Sequence, residues 1–412
     1  MPAPQSILLK NALLFDGTSR DLREGMHVLI EGGRIREVTD EPLVANDARV
    51  IDLRGRFLMP GLIDAHFHAY GASLDVTQFD HMPMSLLAHH GAKLLEDALL
   101  RGFTTVRDAA GADYGLARAV ELGLIKGPRV FFAGRSLSQT GGHGDLRSRD
   151  RADPCSCGYS GVLSVVVDGE DAVRKAAREE LRRGATQLKI MVSGGVLSPT
   201  DPVWMPQFTD AEIRAAVEEA ASRRTYVMAH AHTADAARRC IAAGVRSIEH
   251  ASMIDESTAA LAAASQSYIV PTLVIVERAL AMGKAAGLTA DAAEKMADIQ
   301  DRALRSFEYC VKAGVKIGFG TDLLGPLHAF QNREFVIRRE ISSAFDILHS
   351  ATAVNAALMN QAGQLGVVAP GAHADLIVVD GNPLEDISLL ERCDTSMPLI
   401  MKSAVIYKDT LH

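Results

Sequence analysis

Histidine, lysine and aspartate gather in a few short motifs: His66 and His68 in DAHFH, Lys189 in LKIMVSGG, His230 and His232 in MAHAHT, His250 in SIEH, and Asp322 in GFGTD. Imidazole nitrogens and carboxylate oxygens are the donors that zinc and similar divalent ions take. Each residue alone has a bland explanation. A lone His at a strand end is ordinarily a hydrogen-bonded structural residue, an Asp after a strand is often a helix N-cap, and a lysine can snorkel out of an apolar strand. Four or more imidazoles with one carboxylate and one amine, each ending a successive strand, point instead to a metal site. Lys189 needs its own chemistry, because an ammonium repels a metal ion. Once burial and neighbouring cations lower its pKa, the neutral amine can combine with carbon dioxide. The carbamate is an anionic oxygen ligand that can bridge two dications about 3.5–4 Å apart.

Something must bring these distant residues together. Eight strand candidates, LIDAHFH, FTTVRDA, RVFFAG, TQLKIMV, YVMAH, RSIEH, YIVPTLV and VKIGFGTD, are mostly separated by helical stretches. That alternation predicts βα units and parallel strands. The helix EDAVRKAAREELRRG should end at Gly184, and the next should open on the Thr209/Glu212 capping box. The fold expected is α/β: a (β/α)8 TIM-like barrel over residues 59–364, with its site at the C-terminal ends of the strands. Residues 1–58 read as short β runs, with Gly32-Gly33 as a hairpin turn. Residues 365–412 offer two more strand candidates, ADLIVVDG and LIMKSAVIYKD. Neither end holds enough apolar residues for a core of its own, so both termini should pair into one small β-sandwich domain. In the first strand, residues two apart share a face, so His66 and His68 can both point into the mouth.

Composition narrows the classes. The chain has 412 residues, 48% of them hydrophobic, and a net charge of -8. That suits a packed core and gives no basic footprint for nucleic acid. No apolar run reaches the length of a membrane span. The start, MPAPQSILLKNALLFDG, lacks the pattern of a secretory signal, so a cytoplasmic location is expected; a signal removed before residue 1 would leave no trace. Five scattered cysteines make no disulfide framework, and Cys155/Cys157 in PCSCGYSG form a weak zinc signal that reads first as an ordinary loop.

Together PGLIDAHFH, GFTTVRD, TGGHGD, LKIMVSGG, HAHT, SIEH, GFGTD and PGAHADLIVVDGNP resemble the amidohydrolase superfamily of metal-dependent hydrolases over nearly the whole chain. The order HxH, Lys, His, His, Asp is similar to its binuclear subtype. The resemblance implies two divalent metal ions, zinc by default, held by His66, His68, Lys189 as its carbamate, His230, His250 and Asp322. Of the two fifth-strand histidines, His230 is preferred because its separations of 41 residues from Lys189 and 20 from His250 resemble those of the prolidase-like branch. His232 then contacts substrate or the oxyanion. TGGHGD and SGGVLSPTDP are similar to the Xaa-Pro dipeptidase and imidazolonepropionase-related branch, and within it most to the ochratoxin-hydrolysing amidohydrolases.

The resemblance implies hydrolysis of the amide of an N-acyl amino acid or dipeptide by a metal-bridging hydroxide. Asp322 acts as proton shuttle and His232 stabilises the oxyanion. His143 and His328, each in a loop after a strand, are expected to touch this small-molecule substrate. Its carboxylate would be received by histidines and the backbone N–H groups of Gly141-Gly142. Arg107 and Asp108 stay unassigned, with a structural pair beneath the site as one reading. His81, His89, His90, His349 and His373 read as structural or surface residues. Two alternatives stay open: a cyclic amide, lactone or phosphoester hydrolase on the same core, and a non-catalytic scaffold barrel, which the full set of six ligands disfavours. A homo-oligomer is expected from the family.

Overall fold

The computed structural model describes residues 6–45, 47–147 and 161–411; Cys155 and Cys157 lie outside them. Strands from both ends of the chain share one eight-stranded sheet. It runs from Val405–Asp409, Leu399–Lys402 and Leu376–Val379 through Phe57–Pro60 to Ile7–Leu14, Arg23–Glu31 and Arg34–Thr39, with Arg49–Asp52 beside Ile7–Leu14. Met26, Val28 and Ile30 bury one face of their strand at a period of two, as a half-covered sheet requires. The hairpin at Gly32 and Gly33 forms with φ of 58° and 82°, which glycine adopts freely. LIMKSAVIYKD departs from expectation. It folds back on itself at Ser403 and Ala404, whose φ values are 48° and 65°. Neither residue type signals a left-handed turn. The turn is held instead by the Ser403 N–H donating to Asp375 at 2.8 Å.

Each of the eight stretches expected in the middle of the chain contains a strand, in two parallel sheets, but YIVPTLV is strand only over Tyr268–Val270 before a helix begins at Leu273, and VKIGFGTD only over Lys316–Ile317. One sheet orders Leu62–Phe67, Phe103–Asp108 and Arg129–Phe132; the other contains Leu188–Met191, Val227–Thr233, Ser247–Met253, Tyr268–Val270 and Lys316–Ile317. Strands such as LIDAHF and LKIM are buried at every residue, as parallel strands covered on both faces are. The second sheet also carries Ser164–Val166 and Ser136–Ser138. These were not anticipated, because three-residue serine-containing runs carry no usable period.

At one edge, the Ala65 N–H donates to the Phe319 carbonyl at 2.8 Å and the Asp322 N–H to the His66 carbonyl at 2.8 Å. Asn355 bonds the carbonyls of both Ile63 (2.7 Å) and Phe319 (2.8 Å). At the other edge, the Thr186 N–H donates to the Phe132 carbonyl at 2.8 Å. GFGTD suits the first seam, since a Cβ on Gly320 would stand 2.7 Å from the His66 Cβ.

The helices follow their local signals. Glu170–Arg182 buries Val173, Ala177 and Leu181, spaced by four, and is followed by Gly184 at φ 98°. Thr209 and Glu212 make the reciprocal capping box of the next helix, Asp210–Ser222. Cys240, Cys310 and Cys393 are buried free thiols. Among the described residues, no helix is long and apolar enough to cross a membrane.

Candidate metal and active site

The strand ends converge on two clusters. His66, His68 and Asp322 bring one donor atom each within 4.8 Å of one another, and so do His230, His232 and His250. The clusters adjoin, with the His66 and His250 rings 4.8 Å apart between centroids. Lys189 lines the same cavity and is 2% exposed. Asp322 Oδ1 lies 3.0 Å from His68 Nε2 and 3.3 Å from His66 Nε2, while its Oδ2 is 3.8 Å from His250 Nδ1.

Backbone geometry explains why these side chains meet. Asp64 accepts from the His66 N–H (3.0 Å), the Thr321 hydroxyl (2.6 Å) and the Gln331 amide (2.8 Å), which ties the first and last strands together beside the donors. Thr233, the last residue of MAHAHT, caps the following helix by accepting from the Ala236 N–H. His250 and Asp322 have φ of 70° and 57°. The left-handed backbone at His250 breaks the alternation of its strand, so His250 reaches the cluster although its neighbour Glu249 does too.

The second nitrogens of the rings are engaged in a way that leaves one nitrogen of each to face an ion. His68 Nδ1 is 3.3 Å from the Ala110 carbonyl and His250 Nδ1 is 2.8 Å from the Thr272 hydroxyl. His66 Nδ1 is 2.7 Å from Glu249. His230 is turned the other way: its Nε2 donates to the Gly194 carbonyl at 3.1 Å, leaving Nδ1. His232 Nδ1 meets the Ser252 hydroxyl at 3.2 Å.

Burial, reinforced by neighbouring imidazoles and Lys189, holds His230 and His250 well below the ordinary histidine range, and burial holds His232 near 3. Neutral imidazole is the ligating form. Burial also brings the Lys189 amine down to about 8, against the pull of Glu249 and Asp322. Burial would raise Asp322, but His66 and His68 outweigh it and hold the carboxyl well below the usual range. This donor set fits divalent ions: imidazole nitrogens, three of them on rings held neutral by burial, one carboxylate, and an amine whose proton burial has loosened.

His143 stacks on His230 with centroids 4.1 Å apart and lines the cavity. The loop after Lys189 builds its seat: His143 Nδ1 is 2.7 Å from the Ser198 hydroxyl and 3.6 Å from Asp201. A Cβ at Gly195 would overlap the His143 ring, so SGG is what permits the approach.

Three expectations need correction. The Gly141 and Gly142 N–H groups are already committed, to Asp145 at 2.9 Å and to the Gln139 carbonyl at 3.0 Å, so they are not free to receive a carboxylate. Arg107 and Asp108 do not pair. Arg107 donates to Glu249 and Asp108 accepts from the Ala69 N–H, because neighbouring strand residues face opposite ways. His328, expected at the mouth, packs on Phe67 at 5.0 Å, 2% exposed and outside the cavity lining, since its loop winds into a 3-10 turn over Gly325–Phe330.

Sequence reasoning missed Glu249 and Asp201. Glu249 did leave a signal, a carboxylate inside an otherwise buried strand. Asp201 in TDP reads as a turn and gave none. Apolar side chains, among them Leu146, Leu163, Val196, Leu197, Ile275 and Met296, line much of the rest of the cavity.

Residues 57–402 match the amidohydrolase family. Ochratoxinase of Aspergillus niger is 34% identical over 351 residues, spanning 81% of this chain and 72% of that protein. Its crystal structure matches with a TM-score of 0.86 at 30% identity, covering 99% of this chain and 96% of that one. A prolidase crystallised with N-methylphosphonate-L-proline is 46% identical with a TM-score of 0.95, covering 98% of this chain and 100% of that one. A Xaa-Pro dipeptidase with methionine in its active site is 31% identical with a TM-score of 0.87, covering 98% and 100%. A match over this much of the chain, joined to a nitrogen- and oxygen-rich cavity at the strand ends, means that the chain belongs to the amidohydrolase family and is a hydrolase of amide bonds.

Proposed function

We propose that this hydrolase releases the C-terminal amino acid from an N-acyl amino acid or dipeptide, using two divalent ions and a carbamate on Lys189. The observation that carries the reading is the pair of adjoining donor clusters with buried Lys189 in the same cavity. The two parallel sheets and their bonded edges are read as one (β/α)8 barrel over 59–364, with residues 1–58 and 365–412 as the separate β domain. His66, His68 and Asp322 would hold one ion and His230 with His250 the other, bridged by modified Lys189. His230 is chosen over His232 on its spacing from Lys189 and His250, with Nδ1 as the nitrogen left open once Nε2 meets Gly194. When bound, such ions polarise a carbonyl and make water acidic near neutral pH.

The chain's own residues complete the reaction. Asp322 takes the proton of the attacking water and returns it to the departing nitrogen, which must be protonated to leave. With the Ser252 hydroxyl donating to Nδ1, His232 Nε2 carries its proton and donates it to the developing oxyanion. A preorganised donor of this kind is worth about 2.7–4 kcal/mol. His143, braced by Ser198 and Asp201, meets the substrate's polar end. The apolar walls favour a bulky apolar acyl group or side chain. Ochratoxin A, an aromatic acid joined by an amide to phenylalanine, has that character.

The test is a hydrolysis screen on metal-quantified protein, with N-acyl amino acids, dipeptides, ochratoxin A, cyclic amides and lactones. Release of the free amino acid from acyclic amides supports the reading. Turnover confined to lactones or cyclic amides overturns the substrate class, and amide hydrolysis by metal-stripped protein overturns the mechanism.

A further inference from the structure

His66 differs from the other candidate ligands in what braces it. Ala110, Thr272 and Gly194 offer neutral oxygens to His68, His250 and His230. His66 Nδ1 instead meets the fully buried carboxylate of Glu249 at 2.7 Å. Glu249 Oε1, the other oxygen, accepts from Arg107 at 2.9 Å and from the Ser247 hydroxyl at 2.6 Å. Arg107, also fully buried, donates to the Ala65 carbonyl at 2.6 Å and to the same Ser247 hydroxyl at 2.9 Å. Glu249 therefore has one oxygen anchored to the barrel interior and one aimed at a ligand. A buried Arg–Glu pair is weak grounds for stability, because apolar residues of similar volume often serve as well or better. Its orientation toward His66, with the other oxygen held by Arg107 and Ser247, calls for another reason.

We propose that Glu249 is a positioning residue for the ion at His66 and His68. Its carboxylate accepts the Nδ1 proton of His66, fixes the tautomer and ring plane, and makes Nε2 a stronger donor, while Arg107 fixes Glu249. Outer carboxylates of this kind typically change metal affinity by about 10- to 100-fold. The proposal rests on the two-ion reading above.

Two variants test it. Glu249→Asp keeps a charge for Arg107 but withdraws the oxygen from His66 by one methylene. Glu249→Leu with Arg107→Met removes both charges together, so neither is left unpaired in the interior. Zn2+ is titrated against a competing chelator, with folding followed by circular dichroism. In a folded variant, one of the two ions should bind about 10- to 100-fold more weakly and the other as in the wild type. Wild-type affinity at both positions in either folded variant overturns the proposal, and so does equal weakening of both ions. A wild-type chain that binds a single ion ends the two-ion reading instead; Glu249 is then judged by whether that ion weakens in E249D.

Discussion

Asp322→Asn separates proton transfer from ligation, because the structure makes the substitution nearly silent in every other respect. Asp322 sits at φ 57°, a conformation costly for most residues but readily adopted by asparagine. The amide keeps size and shape, and its oxygen can still face His68 and His66 where Oδ1 now lies, at 3.0 and 3.3 Å. The other position is the one that changes. Asp322 Oδ2 lies 3.8 Å from His250 Nδ1, beyond hydrogen-bond distance, which leaves it open to a proton from the cavity. As an NH2 it can no longer accept one. Loss of a general acid–base group costs about 10²- to 10⁴-fold in rate, which is about 2.7–5.4 kcal/mol of barrier at 1.36 kcal/mol per tenfold. The assay is kcat/KM on an N-acyl amino acid, with metal content measured on the same sample. The variant should keep its ions and lose activity by that factor. Activity within about threefold of the wild type with both ions present would remove Asp322 from proton transfer. Loss of metal in step with activity would show that its service is ligation alone.

Four further outcomes follow from the same geometry. Lys189→Ala should lower metal occupancy, and added short carboxylic acids should restore part of it by standing in for the carbamate; full occupancy and activity in the variant defeat the carbamate. His230→Ala should release metal, whereas His232→Ala should retain it and lose about 10²- to 10³-fold in kcat; the reverse pattern exchanges their roles. Gly195→Ala pushes a methyl into the His143 ring and should raise KM by about an order of magnitude with metal unchanged; unaltered kinetics would take His143 off the substrate. Asp255 caps the Glu256–Ala264 helix, where the Thr258 hydroxyl and N–H hold its carboxyl far below the ordinary 3.8. Its proton therefore binds less readily in the folded state, so the cap contributes fully above 3.8 and fades as pH falls below it. Asp255→Ala should cost about 1 kcal/mol in urea unfolding at neutral pH and less in acid; a pH-independent difference refutes the cap.

What could be read from the sequence, and what could not, divides along one physical line. Parallel strands covered on both faces must be apolar along their length, so a polar residue within or just after one stands out, and the residues that stood out were His66, Lys189, His230, His250 and Asp322. Capping residues and the Gly32-Gly33 hairpin are local chemistry and could be read for the same reason. Left-handed backbone at residues other than glycine could not. It folds the chain back at Ser403 and Ala404, and at His250 it turns two neighbouring side chains onto one cluster. Alternation assigns Glu249 to the face away from His250, and so away from the donor cluster, yet its carboxylate lies 2.7 Å from His66 Nδ1. Loop hydrogen bonding was equally hidden. Gly141 and Gly142 look free in TGGHGD, but Asp145 and the Gln139 carbonyl occupy their N–H groups. A ligand's identity is thus set by residue type on a strand, while the group that orients it is set by a φ angle or a loop contact. That is why residues of metal-ligating type could be picked out in the sequence and the groups that brace them could not.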